Sequence, residues 1–292
     1  MAKSDRPSIL RLTIEAVQRL FADEAIPLAG NIAFRTLFSM FPFLIFLTAL
    51  AGFFGSADLA ARIVTYLLSV APVELVTPIA PEIHSILTKQ RTGLLSLSII
   101  ITVWSAMGGV DSVRVALNRA YGITEDRNLF VLYLIMALFV VGAAIVLLAL
   151  AVLIVFGPII VNFVNRYAPG FSHIVLIFAR YRYPIAVLLL TVGLLAAHWV
   201  LPARRVKLRY LFPGVAFTVI AWLVLSSVFS FYIVHFRTFA STYAGLSGLI
   251  AAMFLLYLSA LALIFGGEIN RVIVIRMKLH RPADVKADLS KQ

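Results

Sequence analysis

The 292-residue chain contains no cysteine, which excludes disulfide cross-links, cysteine-ligated zinc, iron–sulfur clusters and thiol catalysis. Charge is scarce too. Asp, Glu, Lys and Arg make up 13% of the residues, about half the share of an ordinary soluble domain, whereas 62% are hydrophobic. Such a composition belongs to a membrane protein. Acid is the scarcer sign, with 13 Asp and Glu against 25 Lys and Arg, a net charge of +12. The five histidines (His84, His173, His198, His235, His280) stand singly, without His-x-x-x-His spacing or neighbouring carboxylates, so no metal site is indicated. A G-x-x-x-x-G-K-[ST] loop is missing, and Gly245-Leu246-Ser247-Gly248-Leu249 fails the G-x-S-x-G nucleophile elbow because Leu249 takes the last glycine position. With no ligand cluster and no nucleophile–base pair, the chain reads as a non-enzyme without metal or cofactor. A cleavable signal peptide is not indicated either, since Glu15, Arg19, Asp23 and Glu24 fall where its apolar core should lie.

What the chain does have is long uncharged stretches: 36–57, 92–110, 128–165, 183–203, 210–236 and 238–267. Each reaches the roughly 18 to 20 residues of a spanning helix. The third is too long for one crossing and cramped for two, and the basic residues decide between them. Six spans with the N-terminus inside put 18 Lys and Arg on the cytoplasmic side and 7 outside; a hairpin in the third stretch gives 12 against 13. The positive-inside bias therefore favours a single span ending near Gly157-Pro158. The predicted fold is all-α, a polytopic bundle of six transmembrane helices at about 32–56, 92–110, 130–157, 183–203, 210–235 and 243–267, within one membrane domain, 1–275, followed by a basic, disordered cytoplasmic tail, 276–292. Both termini are expected in the cytoplasm. The same arithmetic assigns the basic charge to orientation and to attraction of anionic lipid headgroups rather than to nucleic acid.

Outside the spans, Leu10, Ile14, Val17 and Phe21 share a face at helical spacing, as befits a helix lying in the cytoplasmic interface or packed under the bundle. Between Asp58 and Arg91, apolar residues interrupted by Pro72, Pro78 and Pro81 predict two short helices. Pro42 sits inside the first span, where it leaves the Phe38 carbonyl without its donor and predicts a kink or break, a hinge of the kind that lines transporter sites. Small residues at Ala244, Gly248 and Ala252, and at Ser241 and Gly245, form ridges on which a neighbouring helix could pack closely; Ser98, Thr102 and Ala106 do the same on the second span.

The candidate site lies at the inner ends of helices. Trp104, Met107, Asp111, Arg114, Asn118 and Tyr121 follow steps of three and four along one face of the second helix and its extension. Arg35, about two turns into the first helix, needs to snorkel or to find an anion at its own depth, and Asp111 and Glu268 are the candidates. These groups either tie helix ends together or line a polar vestibule, entered from the cytoplasm between the first, second and sixth spans, for a substrate headgroup.

Three segments carry a family likeness: Ala33-Phe34-Arg35-Thr36-Leu37-Phe38-Ser39-Met40-Phe41-Pro42; Trp104-Ser105-Ala106 with Asn118-Arg119-Ala120-Tyr121; and Tyr243-Ala244-Gly245 through Leu256-Tyr257 to Gly266-Gly267-Glu268-Ile269-Asn270. In order and spacing they resemble the YihY/virulence factor BrkB family over about residues 10 to 275. The departures are Arg35, where the family usually has Tyr or another polar residue, and Gly267, where Ala is common. The resemblance implies a six-span protein of the bacterial inner membrane, from a family first labelled ribonuclease and now regarded as transporters, some tied to envelope-lipid traffic. The expectation is passive or ion-coupled transport of an amphiphilic or anionic envelope molecule, with membrane lipids as partners. Arg35, Trp104, Asp111, Arg114, Asn118, Tyr121, Glu268 and Asn270 are the candidate substrate-binding residues. The alternative is a non-transporting scaffold or assembly factor; a ribonuclease is the weakest reading, and homo-oligomerisation is left open.

Overall fold

The computed structural model describes residues 9–54, 61, 65, 81, 85, 92–167, 170, 172–235 and 246–279, with no strand among them. Eight α-helices run through the described residues: α1 (Ile9–Ala22), α2 (Ala25–Phe54), α3 (Thr92–Tyr121), α4 (Leu129–Ala151), α5 (Gly157–Tyr167), α6 (Ser172–Val200), α7 (Phe212–His235) and α8 (Leu246–Leu279). Among the described residues five helical stretches are long and apolar enough to cross a membrane: Ile99–Tyr121, Leu129–Ile154, Val175–Val200, Phe212–Tyr232 and Gly248–Arg276. The first expected span, 32–56, falls on α2 as far as Phe54, and its side chains beyond Ile45 lie outside the described residues, as do nearly all of 58–91 with its two expected short helices.

Between α4 and α5 the chain does not reverse: a π-helical turn, Val152–Phe156, carries it on through Gly157 and Pro158 to Tyr167. The third stretch is thus one long helical run rather than a hairpin, and it passes the expected end. Likewise α8 runs on to Leu279, so Arg276, expected to open the tail, is helical and paired with Glu15 at 2.7 Å.

The chain divides into two compact units, one of residues up to Phe34 and from Val110 onward, the other Arg35–Gly109. In the first, α7 and α8 make the most extensive helix pair. Their backbones meet at Gly214 and Gly266: a Cβ on Gly214 would strike the Gly266 carbonyl and the Asn270 amide, and one on Gly266 would strike Thr218 Oγ1 and the Gly214 carbonyl. The small-residue ridge expected at Gly248 does not take this role, for Gly248 is exposed and has open space beside it. Alanines set a second close approach, with Ala25, Ala29, Ala116, Ala120 and Ala260 buried together around Ile32 and Ile264; small side chains let helix backbones come near where apolar lipid tails supply no hydrophobic drive. Along α1, Ala16 is fully buried and Glu15 reaches Arg276 of α8, while Ile14, Val17 and Phe21 are left exposed.

In the second unit α2 and α3 are stitched by polar groups. Thr102 Oγ1 donates to the Pro42 carbonyl at 2.8 Å and Arg35 to the Gly108 carbonyl at 3.2 Å. Pro42 does not break the helix, which continues through it to Phe54.

Gly→Ala in a helix normally gains a few tenths to about 1 kcal/mol. Gly214→Ala is expected to lose about 1–3 kcal/mol instead, because the methyl group has no room, whereas Gly248→Ala should be neutral or stabilising. Thermal unfolding in detergent checks this; equal behaviour of the two variants would refute the Gly214–Gly266 crossing.

Candidate functional site

α3 ends in a turn that aims the next segment back at the helix. Gly122 adopts φ +65°, with its N–H on the Arg119 carbonyl (2.9 Å) and that of Ile123 on the Asn118 carbonyl (2.8 Å). This is a Schellman closure, which suits the one residue type that bears a left-handed conformation without strain. A side chain at Gly122 would also collide with the Arg271 guanidinium. The returning segment lays Glu125 against the polar strip of α3. Arg114 Nη1 donates to Glu125 Oε2 at 2.5 Å, and its Nε and Nη2 donate to Asp111 Oδ1 at 2.9 and 2.8 Å. Asn118 donates to Glu125 Oε2 at 3.0 Å and accepts the Ala203 N–H at 2.9 Å. Arg127 clasps Glu125 from the other side at 2.7 and 2.8 Å and reaches the Leu201 carbonyl at 2.7 Å, beyond the end of α6. A few residues thus close the carboxylate's lone pairs and join α3 to the α6–α7 connection.

A second polar group is sealed inside. The Gly214 N–H, one of the first-turn donors of α7 that no helical carbonyl can accept, donates to Asn270 Oδ1 at 2.8 Å. A backbone N–H can only donate, so this contact fixes the Asn270 amide and turns Nδ2 to the Tyr121 hydroxyl oxygen, 3.1 Å away. The Tyr121 hydroxyl also lies within hydrogen-bond distance of His198 Nδ1, at 2.7 Å. Asn270 and His198 are fully buried and Tyr121 almost so. Glu268 is also fully buried, but among the described residues neither of its oxygens accepts from an N–H or a hydroxyl, and His198 Nε2 has no partner.

Beside the first group opens a cleft of about 410 Å³, lined by Glu24, Leu28, Arg114, Val115, Asn118, Arg119, Ile123 and Glu125. On its rim Glu24 holds a left-handed backbone, φ 56°, at the α1–α2 junction, a conformation uncommon outside glycine. Its side chain meets Arg119 at 3.3 Å, with both groups more than half exposed. Of the residues expected at the site, Arg114 and Asn118 line this cleft and Asp111 stands behind Arg114. Tyr121 and Asn270 belong to the sealed group, and Glu268 is buried on the same helix as Asn270. Arg35 and Trp104 belong to the Arg35–Gly109 unit, where Trp104 is exposed. Sequence reasoning did not pick out Glu24, Arg119 as a lining group, Glu125 or Arg127. The available signal was that Glu125 and Asp126 are two of only 13 acids and stand in a seven-residue connection next to Arg127.

The Arg127 guanidinium, helped by Arg114 and Asn118, draws the Glu125 carboxyl from 4.5 down to about 2, against the partial burial that pushes the other way. The same bond to Glu125 raises Arg127 above its ordinary value. A carboxyl lowered in the folded state contributes stability that is complete above its unfolded value, here 4.5, and is lost as pH falls toward about 2. Glu125→Gln should therefore lower stability at neutral pH and flatten the acid limb of the stability–pH curve. Unfolding midpoints measured from neutral to acid pH check it; an unchanged acid limb would show that this carboxylate is not held as described.

The family described as virulence factor BrkB matches residues 16–289. A ribonuclease-like protein, YfkH, of Bacillus subtilis (strain 168) is 30% identical over 253 residues, covering 86% of this chain and 90% of the relative. A UPF0761 membrane protein of Alteromonas mediterranea is 23% identical over 259 residues, covering 86% of this chain and 84% of the relative. No solved structure matches. With a family match over nearly the whole chain and five helices able to cross a bilayer, this multi-pass membrane protein belongs to the virulence factor BrkB family.

Proposed function

We propose that this chain is an inner-membrane transporter for an amphiphilic or anionic envelope molecule, a lipid or lipid precursor, moved passively or with an ion. The observation that carries the reading is the open cleft at the end of α3. Arg114 is neutralised by Asp111 and Glu125, whereas Arg119 is exposed and held by one long bond to Glu24. An anionic headgroup can displace Glu24 from Arg119 at small cost, since an exposed ion pair contributes about 1 kcal/mol or less, while Asn118 and Glu125 stay fixed as the polar wall.

In this reading the chain crosses the membrane six times with both termini in the cytoplasm, supported by the excess of 18 basic residues over 7 on that side. The outward Ile14, Val17 and Phe21 of α1, with its Glu15 edge tied to α8, suit a helix lying in the inner interface among anionic headgroups. Neither nucleic acid nor a catalysed reaction enters the reading.

Reconstituted vesicles should move labelled anionic phospholipid, or a lipid A precursor, across the bilayer faster than protein-free vesicles. Arg119→Gln should slow this about tenfold or more, as expected for one lost charged hydrogen bond, with thermal stability unchanged. Wild-type vesicles no faster than empty ones would favour the scaffold reading; full activity of Arg119→Gln would remove the cleft from transport.

A further inference from the structure

Glu268 stands apart from every other acid in the described residues. It is fully buried on α8, where no N–H or hydroxyl donates to either oxygen and the group within side-chain hydrogen-bonding reach is the Asp23 carboxyl. Two residues along, Asn270 is equally buried and has its oxygen and its nitrogen both engaged. An ionised carboxylate in such a place costs several kcal/mol; the neutral acid costs far less.

The charged groups acting on Glu268 are Asp23 after α1, Arg271 one turn along α8, and Arg19 of α1. Tyr121 of α3 also acts on Glu268 electrostatically, and His198 of α6 flanks the neighbouring Gly267. Both guanidiniums are engaged elsewhere. Arg271 donates to Asp23 Oδ2 at 2.7 Å and to the Ala120 carbonyl at 3.3 Å, and Arg19 pairs with Glu15 at 3.5 Å. Guanidiniums on two sides disfavour a metal cation, so the small cation that suits this carboxylate is a proton. Asp23, with about a quarter of its side chain exposed, offers that proton a way to water.

We infer that Glu268 holds an exchangeable proton inside the bundle, released by a swap with Asp23 in which Arg271 changes partner. The step balances. The Glu268 acid gives its proton to the Asp23 carboxylate; Arg271 leaves the now neutral Asp23 and pairs with the new Glu268 carboxylate. Charge within the trio is unchanged, and Asp23 then exchanges its proton with water. Asp23 adjoins Glu24 on the cleft rim, so a ligand that shifts this junction would shift the swap. Only its use in driving transport rests on the transporter reading; the swap itself does not.

Infrared difference spectra of the full chain in nanodiscs test it without a substrate. At neutral pH, wild type minus Glu268→Gln should show the carbonyl stretch of a protonated carboxylic acid. Should Glu268→Gln fail to fold, Glu268→Asp should displace the same band. Asp23→Asn cannot hold Arg271 by charge, so in that variant the acid band should give way to carboxylate bands at the same pH. Carboxylate bands from Glu268 in the wild type would overturn the proton; an acid band surviving in Asp23→Asn would overturn the swap. Because no transported substrate is added, a failed transport assay leaves these spectra standing, and an ionised Glu268 leaves the transport assay unaffected.

Discussion

One hydrogen bond orders the larger unit: the Gly214 N–H donating to Asn270 Oδ1. The first donors of any helix lack intrahelical partners, and inside a membrane bundle no water meets them. By accepting from the first turn of α7, Asn270 of α8 satisfies that donor and has its own amide oriented in return. The Asn270 amide donates on to the Tyr121 hydroxyl of α3, which lies in turn against His198 Nδ1 of α6. Four helices are thereby connected through polar atoms whose alternatives are all unsatisfied. The close passage of Gly214 and Gly266 is the steric condition for this bond, since any side chain at either position would push α7 and α8 apart.

With that clasp in place, the remaining polar residues divide by exposure and not by chemistry. Arg114, Glu125 and Arg127 resemble a catalytic cluster in composition, yet their hydrogen bonds are made to one another, to Asp111 and Asn118 of α3 and to the Leu201 carbonyl beyond α6. They are a rigid wall. Glu24 and Arg119 are the reverse, an exposed pair on a strained junction. A wall that keeps its geometry beside a rim that can open is the arrangement a binding cleft requires, because recognition needs fixed partners and entry needs movable ones.

The helices were legible because a bilayer excludes charge, so stretches without Asp, Glu, Lys and Arg trace them. Their ends were less so. α6 begins at Ser172, well before the expected 183, since Arg180 and Arg182 sit inside the helix and Arg182 stacks over Tyr183. α8 outlasts its apolar stretch through the Glu15–Arg276 pair. The strip on α3 was half legible. Steps of three and four put Asp111, Arg114 and Asn118 together, but ten residues at about 100° each leave Tyr121 about 80° from Asp111, enough to turn it into the bundle. No one-dimensional spacing indicates that Gly214 and Asn270, 56 residues apart, meet, or that Gly266 rather than Gly248 is where two backbones touch.

The clasp is the claim on which the architecture stands, and a double-mutant cycle of Asn270→Ala and Tyr121→Phe, followed by thermal unfolding in detergent, addresses it most directly. Asn270→Ala leaves the Gly214 N–H buried without an acceptor and should cost about 2 kcal/mol. Tyr121→Phe should cost less, and the double variant should fall short of the sum by roughly 0.5–2 kcal/mol, because both substitutions remove the same bond. An Asn270→Ala variant within about 0.5 kcal/mol of wild type would mean that Asn270 does not hold these helices together, and strictly additive losses would remove Tyr121 from the clasp.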